Sequence, residues 1–263
     1  MSLRRLLPKP SRSIERDTVT VELADRLQLQ VQRVRDPRAK RMKLSVDERG
    51  ARLTLPLRAS LVSGERFLHE HRRWLATQLE RYETGDSLPT LARLQTVELP
   101  LRGARVPLRW HEGRFARLTI EGDALHFHLP ARASDAVMRR ALREFYEAQA
   151  RADVGAWMPR YLPGLPRAPS RVRLKVMSSL WGSLSPDGSL ALDLSLVLGD
   201  ARAFEYVLVH ELCHLIHANH SAAFWHEVES RFPHWRQQRE YFHANGRQLK
   251  SSLHRLLAPA AAA

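Results

Sequence analysis

Residues 207–225 read Val-Leu-Val-His-Glu-Leu-Cys-His-Leu-Ile-His-Ala-Asn-His-Ser-Ala-Ala-Phe-Trp. This stretch contains an H-E-x-x-H array inside an apolar run with helical spacing. One α-helical turn is 3.6 residues, so His210 and His214 project from the same face, about 6 Å apart along the axis. Two neutral imidazoles at that separation can share a tetrahedral Zn²⁺, and Glu211 lies close enough to reach a water molecule at the ion without being a ligand. The pattern predicts a zinc hydrolase with Glu211 as the general base.

The third ligand has two candidates, because a catalytic zinc ion usually takes three protein ligands and leaves one position for water. His217 continues the helical face, but it would lie about 10.5 Å along the axis from His210, which is too far for one ion. His220 precedes Ser221, a credible N-cap, so a turn at residues 218–221 would bring His220 back over the ion. His217 would then contact the ligands without binding the ion itself, or it is the alternative third ligand. The sequence thus predicts one Zn²⁺ per chain, held by His210, His214 and His220.

A cluster of structural histidines is the other interpretation of this array. Residues 207–209, together with Leu212, Leu215 and Ile216, would bury the helix among apolar side chains. Buried imidazoles need polar partners, and a metal ion serves several of them at once. This context favours the zinc site.

Three segments carry a resemblance to a known family. They are Trp181-Gly182-Ser183, Tyr206-Val207-Leu208-Val209-His210-Glu211-Leu212-Cys213-His214 and Asn219-His220-Ser221-Ala222-Ala223-Phe224-Trp225. In these segments the chain resembles the YgjP-like metallopeptidase domain family, which is related to the SprT-like and WLM zinc peptidases. The resemblance implies the same three histidine ligands and the same base as the spacing does. The chain departs from residues that the family often has at Leu180, Leu184, Asp193 and Ser195.

The resemblance also implies a peptide or protein substrate and places Trp181, Gly182 and Ser183 at the edge of its cleft. An extended peptide could add to that strand through backbone hydrogen bonds, and Gly182 would allow the close approach. A packed Trp181 at the start of a tight hairpin is the alternative there. Such sites usually have a further donor for the developing oxyanion. The candidates for it are Tyr241, His243 and His217.

Two other functions compete with peptide cleavage. Members of the family have been described as predicted metal-dependent hydrolases, and one label is nucleoside triphosphate pyrophosphatase. Against this reading, the chain has no Gly-rich phosphate loop. The other competitor is a binding module whose zinc only holds the fold, but such a site has no need of Glu211 beside the water position.

Composition limits the partners and the compartment. The chain has 263 residues, a formal net charge of +14 and a single cysteine, Cys213. No run approaches the 18 apolar residues of a membrane span, and the N-terminal segment lacks the apolar stretch of a secretory signal, so we expect a cytoplasmic protein that does not enter the membrane. The charge makes nucleic acid a possible partner, with Lys40, Arg41 and Lys43 as first candidates. A solvated arginine-rich surface is the interpretation we favour.

The expected fold class is α+β, with a β-rich N-terminal half leading into a zincin-like core. The predicted parts are a flexible basic N-terminus over residues 1–16, a β-rich region with one long helix over 17–130, the core over 131–256 and a disordered tail over 257–263. The core would contain a helix, a β-hairpin or small sheet, the H-E-x-x-H helix and C-terminal helices.

Local signals place the elements more closely. A helix begins at Ser63, carries Trp74 in the core and stops near Gly85, and Ser134 caps a second long helix. Residues 171–178 and 189–196 alternate around a Pro-Asp-Gly turn, which predicts a β-hairpin, and the metal helix follows over about 201–218. His126 and His128 share a strand face without a visible third ligand, which favours surface histidines over a second metal site.

Overall fold

The structure is a computed structural model that describes residues 14–23, 28–47, 50–83 and 90–258. The chain divides into two compact units, Met1–Ser87 and Leu88–Ala263. Most of the expected N-terminal extension and tail, and the helix end expected near Gly85, lie outside the described residues. The boundary expected at residue 130 falls inside the second unit.

The first unit consists of a four-stranded sheet and two helices. Its strand order is β1-β2-β4-β3, with β2 and β4 parallel and the two outer pairs antiparallel. Alternating side chains of β4 are buried with apolar residues of the helices, which gives this unit its own core. The elements are β1 (Glu15–Glu22), β2 (Gln28–Arg35), β3 (Lys43–Asp47), β4 (Gly50–Leu55), α1 (Leu61–Glu70) and α2 (Arg72–Glu83).

The helical part of this unit differs from the prediction in two ways. Helix α1 begins at Leu61 instead of Ser63, since the Ser60 side chain caps it by accepting a hydrogen bond from the Ser63 N–H, and the chain breaks at His71 into two helices instead of one. Trp74 is 41% exposed, whereas Leu75 beside it is fully buried. Leu75 lies seven residues after the buried Leu68, so these two leucines share the face that packs in the core, and Trp74 lies beside that face.

The second unit begins with a four-stranded sheet whose strands follow the same pattern as the first. The order is β5-β6-β8-β7, again with the central pair parallel and the outer pairs antiparallel. A long helix follows this sheet, and its N-cap is Ser134 as predicted. The elements are β5 (Glu98–Leu101), β6 (Ala104–Glu112), β7 (Arg117–Glu121), β8 (Ala124–Leu129) and α3 (Asp135–Tyr161).

A small third sheet faces the metal helix, and its topology corrects the predicted hairpin. The strands β9 (Arg171–Lys175), β10 (Gly182–Leu184) and β11 (Ser189–Asp193) have the order β10-β11-β9. β9 and β11 are parallel neighbours, so they do not form the predicted hairpin. The turn at residues 185–188 instead joins β11 to the short antiparallel strand β10, whose three residues are too few to show an alternating pattern.

Three helices complete the second unit: α4 (Ala201–Cys213), α5 (Ala222–Arg231) and α6 (Trp235–Leu257). Helix α4 is surrounded by protein, and nearly all of its side chains from residue 203 to its end are buried. One of them, Glu205, accepts hydrogen bonds from Arg160 at 2.6 Å and Tyr161 at 2.8 Å, which connects α4 to the end of α3. This burial gives the residues on α4 a rigid support.

The metal helix is shorter than the sequence suggested. It ends at Cys213 instead of about residue 218, and Leu215, Ile216 and His217 then form hydrogen-bonded turns over the last carbonyl groups. The described residues confirm a mixed α+β fold with β-sheets towards the N-terminus and helices towards the C-terminus. None of the helices described has the length and apolar character needed to cross a membrane.

Candidate metal centre and cleft

Three histidine side chains converge at the end of α4. One ring nitrogen from each of His210, His214 and His220 lies within 4.8 Å of the others. Nε2 of His210 is 3.0 Å from Nε2 of His220. Nitrogen atoms that bind one tetrahedral zinc ion at about 2.0–2.1 Å are about 3.3 Å apart, so small side-chain adjustments would bring all three to one ion. Among the described residues, no other three potential metal ligands come together in this way.

The local sequence explains this arrangement. Asp200 caps α4, its carboxylate accepting from the Arg202 N–H at 2.7 Å, and the four-residue spacing places His210 and His214 on one face. Because α4 ends early, the chain turns back before α5, which is capped by Ser221 as predicted. His220 lies in this connection and returns to the ligand-bearing face.

His217 contributes its backbone to the site. Nδ1 of His214 lies 3.0 Å from the carbonyl oxygen of His217. A carbonyl oxygen can only accept, so this Nδ1 carries the proton and Nε2 of His214 keeps its lone pair for a metal ion. The side chain of His217 is not part of the three-ligand group.

Aromatic rings pack against the imidazoles. The ring of Phe224 is stacked on His214 at 4.5 Å between centroids, and Trp225 is stacked on His220 at 5.7 Å. Burial, followed by the charges of neighbouring groups, lowers the pKa of His210 to about 3 and also lowers the pKa of His220. Both imidazoles are therefore neutral at physiological pH, which is the form that binds a metal ion.

Glu211 lies beside these ligands with its carboxyl group almost completely buried. It is 6% exposed, and burial raises its pKa to about 7, although a hydrogen bond from the Leu184 N–H opposes the shift. A Cβ atom added at Gly182 would lie 2.6 Å from Cγ of Glu211 and 2.7 Å from its Oε1. Strand β10 therefore contacts the carboxyl group directly.

An open cleft of about 890 Å³ gives access to the ligands and to Glu211. Trp181, Gly182 and Ser183 line it, as the sequence led us to expect of this segment, and His243 lines it as well. The structure does not bring Tyr241 to the cleft. The Tyr241 hydroxyl oxygen accepts a hydrogen bond from the Asp200 N–H at 2.9 Å, at the opposite end of α4.

Trp181 is held against one face of α6. Its ring lies 4.5 Å from the ring of Phe242, and the ammonium group of Lys250 lies 4.4 Å from its centroid. Between them, a Cβ atom at Gly246 would be only 2.7 Å from Cζ2 of Trp181. Phe242, Gly246 and Lys250 are four residues apart, so they share one face of α6, and the indole ring packs against this face.

Sequence reasoning missed several cleft residues. Tyr206 lies one helical turn before His210 on the same face of α4, so the helical spacing could have identified it. Arg239 and Phe242 come from α6, and no local pattern connects them to the histidines. Cys213, the last residue of α4, points into the core: it is fully buried, and burial raises its thiol pKa to about 12.

The two histidines considered for a second metal site lie away from the cleft. His126 and His128 are on β8, and Nε2 of His111 on the neighbouring strand is 2.8 Å from Nδ1 of His126. No group of three ligands forms there within the described ranges.

Comparison with known proteins gives one family match. The sequence profile described as YgjP-like, metallopeptidase domain matches residues 40–245. A search of curated protein sequences finds no match. Among solved structures, the chain is similar to the metallopeptidase zymogen abylysin of Pyrococcus abyssi, with 24% identity, a TM-score of 0.28, and coverage of 39% of this chain and 93% of the other.

Proposed function

The chain belongs to the YgjP-like metallopeptidase domain family, and on that premise we propose that it is a zinc-dependent peptidase with a zincin-like core. The observation that carries the proposal is the convergence of His210, His214 and His220 beside the buried carboxyl group of Glu211 in an open cleft. A purely structural metal site would not need a carboxyl group at this position.

The donor set fits zinc. Three neutral imidazoles without a carboxylate or thiolate ligand are typical of a catalytic zinc site that keeps one position for water. When bound, the ion would acidify a water molecule and polarise the scissile carbonyl group. The hydrogen bond to the His217 carbonyl and the stacked ring of Phe224 orient His214, an edge-on contact with Phe224 orients His210, and stacking on Trp225 orients His220.

Glu211 is the general base in this proposal. Burial raises the pKa of this carboxyl group, which favours the uptake of a proton, and the group faces the open cleft where it can pass the proton on. Its carboxylate takes the proton of the attacking water molecule and then donates it to the amine that leaves. The Leu184 N–H and the backbone at Gly182 hold the carboxyl group in place for both transfers.

Strand β10 is where we expect the substrate backbone to bind. It lies at the edge of its sheet, next to the ligands, and pairs with β11 on its other side. An extended peptide can hydrogen-bond to such an edge, which would draw its backbone across the site. The rings of Trp181 and Phe242 offer an apolar surface to its side chains.

The test compares substrates and one variant. The zinc-loaded protein should cleave unfolded protein or peptides and leave nucleoside triphosphates intact. Glu211→Gln keeps the shape of the side chain but removes the base, so activity should fall at least about 100-fold while zinc content and melting temperature stay nearly unchanged.

Each contrary result has its own meaning. Hydrolysis of triphosphates without peptide cleavage would support the alternative function as a nucleoside triphosphate pyrophosphatase. Zinc loss in Glu211→Gln would make the carboxyl group structural. A zinc-loaded protein that hydrolyses neither class would support the binding module.

A further inference from the structure

The cleft contains a cation that the proposed chemistry does not use. Arg239 on α6 lines the cleft together with His210 and His220. Its guanidinium carbon lies 5.3 Å from the ring centroid of Trp225 and 5.6 Å from that of Trp235. No acidic side chain among the described residues lies within ion-pairing distance of it.

Aromatic stacking prepares this guanidinium for recognition. Trp225 and Trp235 are stacked on each other at 4.4 Å, so they form a rigid platform. An arginine held against such a platform keeps its planar fork of N–H donors available, and that fork matches a carboxylate. Arg236 lies three residues before Arg239 on α6 and is also exposed. Its N–H donors are not free in the same way, because its guanidinium is paired with Glu229 at 2.6 Å.

The position of Arg239 relative to the ligands is also informative. Trp225 is stacked on both Arg239 and His220, whereas Glu211 contacts Gly182 of β10. Arg239 therefore approaches the ligands through the Trp225 ring, and the edge strand approaches them through Glu211. Arg239 lines the same cleft as His210 and His220, so a ligand bound between them can contact all three side chains.

The charges around the cleft favour an anionic ligand. The cleft-lining arginines are Arg167 and Arg239, and Glu211 is the one carboxyl group among the described residues that line it. A cleft with this balance attracts anions and concentrates them near the ligands.

We propose that Arg239 binds a carboxylate of the substrate close to the scissile bond, so that the enzyme prefers peptides with an acidic residue or a free C-terminus at that point. This inference rests on the proposed peptidase function. A peptide paired with β10 and crossing the ligands would bring its following residues to the Arg239 side. The guanidinium is exposed before the substrate binds, which suits recognition of a charged group better than stabilisation of an oxyanion in a water-excluded site.

The experiment measures binding, so it does not depend on turnover. An apolar heptapeptide with an amidated C-terminus carries Glu at each position in turn, with Gln at the same position as the neutral partner, and one further peptide has a free C-terminus. Affinity for the zinc-loaded Glu211→Gln protein is measured by calorimetry. At one position, or at the free terminus, the carboxylate peptide should bind about 10- to 100-fold more tightly than its neutral partner.

Variants of the two arginines identify the source of this preference. Arg239→Met should abolish it and leave the affinity of the neutral peptide within about twofold, with zinc content unchanged. The matched change Arg236→Met, on the same helix, should preserve it. The proposal is overturned if no carboxylate preference exists, or if the preference survives in Arg239→Met.

Turnover provides a second measurement in the protein with Glu211 intact. Arg239→Met should raise KM for the acidic peptide and change neither kcat nor KM for its neutral partner. An equal fall in kcat for both peptides would assign Arg239 to the oxyanion and overturn carboxylate recognition. If the zinc-loaded wild-type protein cleaves no peptide but still binds the acidic one selectively, the peptidase proposal fails while the Arg239 site stands.

Discussion

The carboxyl group of Glu211 occupies the space that a side chain at Gly182 would need. A Cβ atom there would lie 2.6 Å from Cγ, 2.7 Å from Oε1 and 2.8 Å from Cδ of Glu211. Glu211 is buried, so its carboxyl group has little room to move aside. The proposed base and the proposed substrate-binding strand are therefore in direct contact, and a change in one displaces the other.

Replacing this glycine should damage activity without removing the metal. In Gly182→Ala the new methyl group displaces either the carboxyl group or β10, so we expect kcat/KM to fall at least about 10-fold, since small misplacements of catalytic groups are costly. Zinc content should stay at one ion per chain because no ligand moves. Gly155→Ala on α3 is the control, since nothing lies within 4 Å of a Cβ atom there. Full activity in Gly182→Ala would show that β10 and Glu211 can separate freely.

The contribution of His217 through its backbone predicts a clear difference between two alanine variants. His220→Ala should lose most of the bound zinc, as should His210→Ala and His214→Ala, because three ligands are needed for tight binding. His217→Ala keeps the carbonyl group that accepts from His214, so it should retain the metal. Elemental analysis of the purified variants measures this. Zinc retained in His220→Ala but lost from His217→Ala would reverse our ligand assignment.

Lys250 should act as a positioning residue for the cleft edge. Its ammonium group donates to the Met177 carbonyl oxygen at 2.7 Å and to that of Leu180 at 3.0 Å, in addition to lying over Trp181. Lys250→Met keeps most of the aliphatic side chain but removes these interactions and the ion pair at 3.3 Å with the buried carboxylate of Asp193, so the edge should loosen. We expect KM for peptides to rise several-fold with a smaller change in kcat, together with a shift in tryptophan fluorescence.

The control for this variant is Arg255→Met, an exposed basic residue further along α6. It should leave both KM and the fluorescence spectrum unchanged. A fall in kcat alone in Lys250→Met, with KM and fluorescence as in the wild type, would argue against a role in holding Trp181.

In the first unit, the pairing of Asp17 with Arg33 predicts a pH-dependent contribution to stability. The hydrogen bond from Arg33, at 2.9 Å from Nε, lowers the pKa of Asp17 below its ordinary value of 3.8. The stabilisation is therefore complete above the ordinary pKa and is lost as the pH falls through the lowered one. Because Asp17 is largely exposed, the effect of Asp17→Asn at neutral pH should not exceed about 1 kcal/mol.

Hydrogen exchange of the β1 and β2 amides in the full chain can measure this difference. Comparing wild type and Asp17→Asn at the same pH cancels the intrinsic exchange rate. The difference in protection should shrink steadily below pH 3.8. An undiminished difference at strongly acidic pH would mean that the carboxyl group stabilises the sheet in its protonated form.

The success of the sequence-based predictions depended on the distance along the chain over which an interaction acts. The array at residues 210–214, the Ser134 and Ser221 caps and the mixed α+β class all follow from short-range periodicity and capping, and the structure contains them. The early end of α4 was not predictable in this way, because the turns after Cys213 satisfy its last carbonyl groups without a glycine or proline signal.

Tertiary pairing explains the remaining differences. The parallel arrangement of β9 and β11 was invisible because alternation within a strand does not identify the neighbouring strand. Arg239 lines the cleft and Lys250 contacts Trp181, both from α6, and nothing in the spacing of α6 connects them to the histidines. Trp74 shows the opposite error, since helical spacing placed in the core a side chain that is 41% exposed, while the neighbouring Leu75 occupies the core.

The burial of Cys213 makes the thiol a natural reporter of opening at the metal centre. The chain has no other cysteine, and this one immediately precedes the ligand His214. With a thiol pKa near 12 and no exposure, it can be alkylated only when the end of α4 detaches transiently from the core. The labelling rate then measures how often the ligand-bearing segment opens, and an ion that binds across α4 and the following turn should slow that rate in proportion to its occupancy.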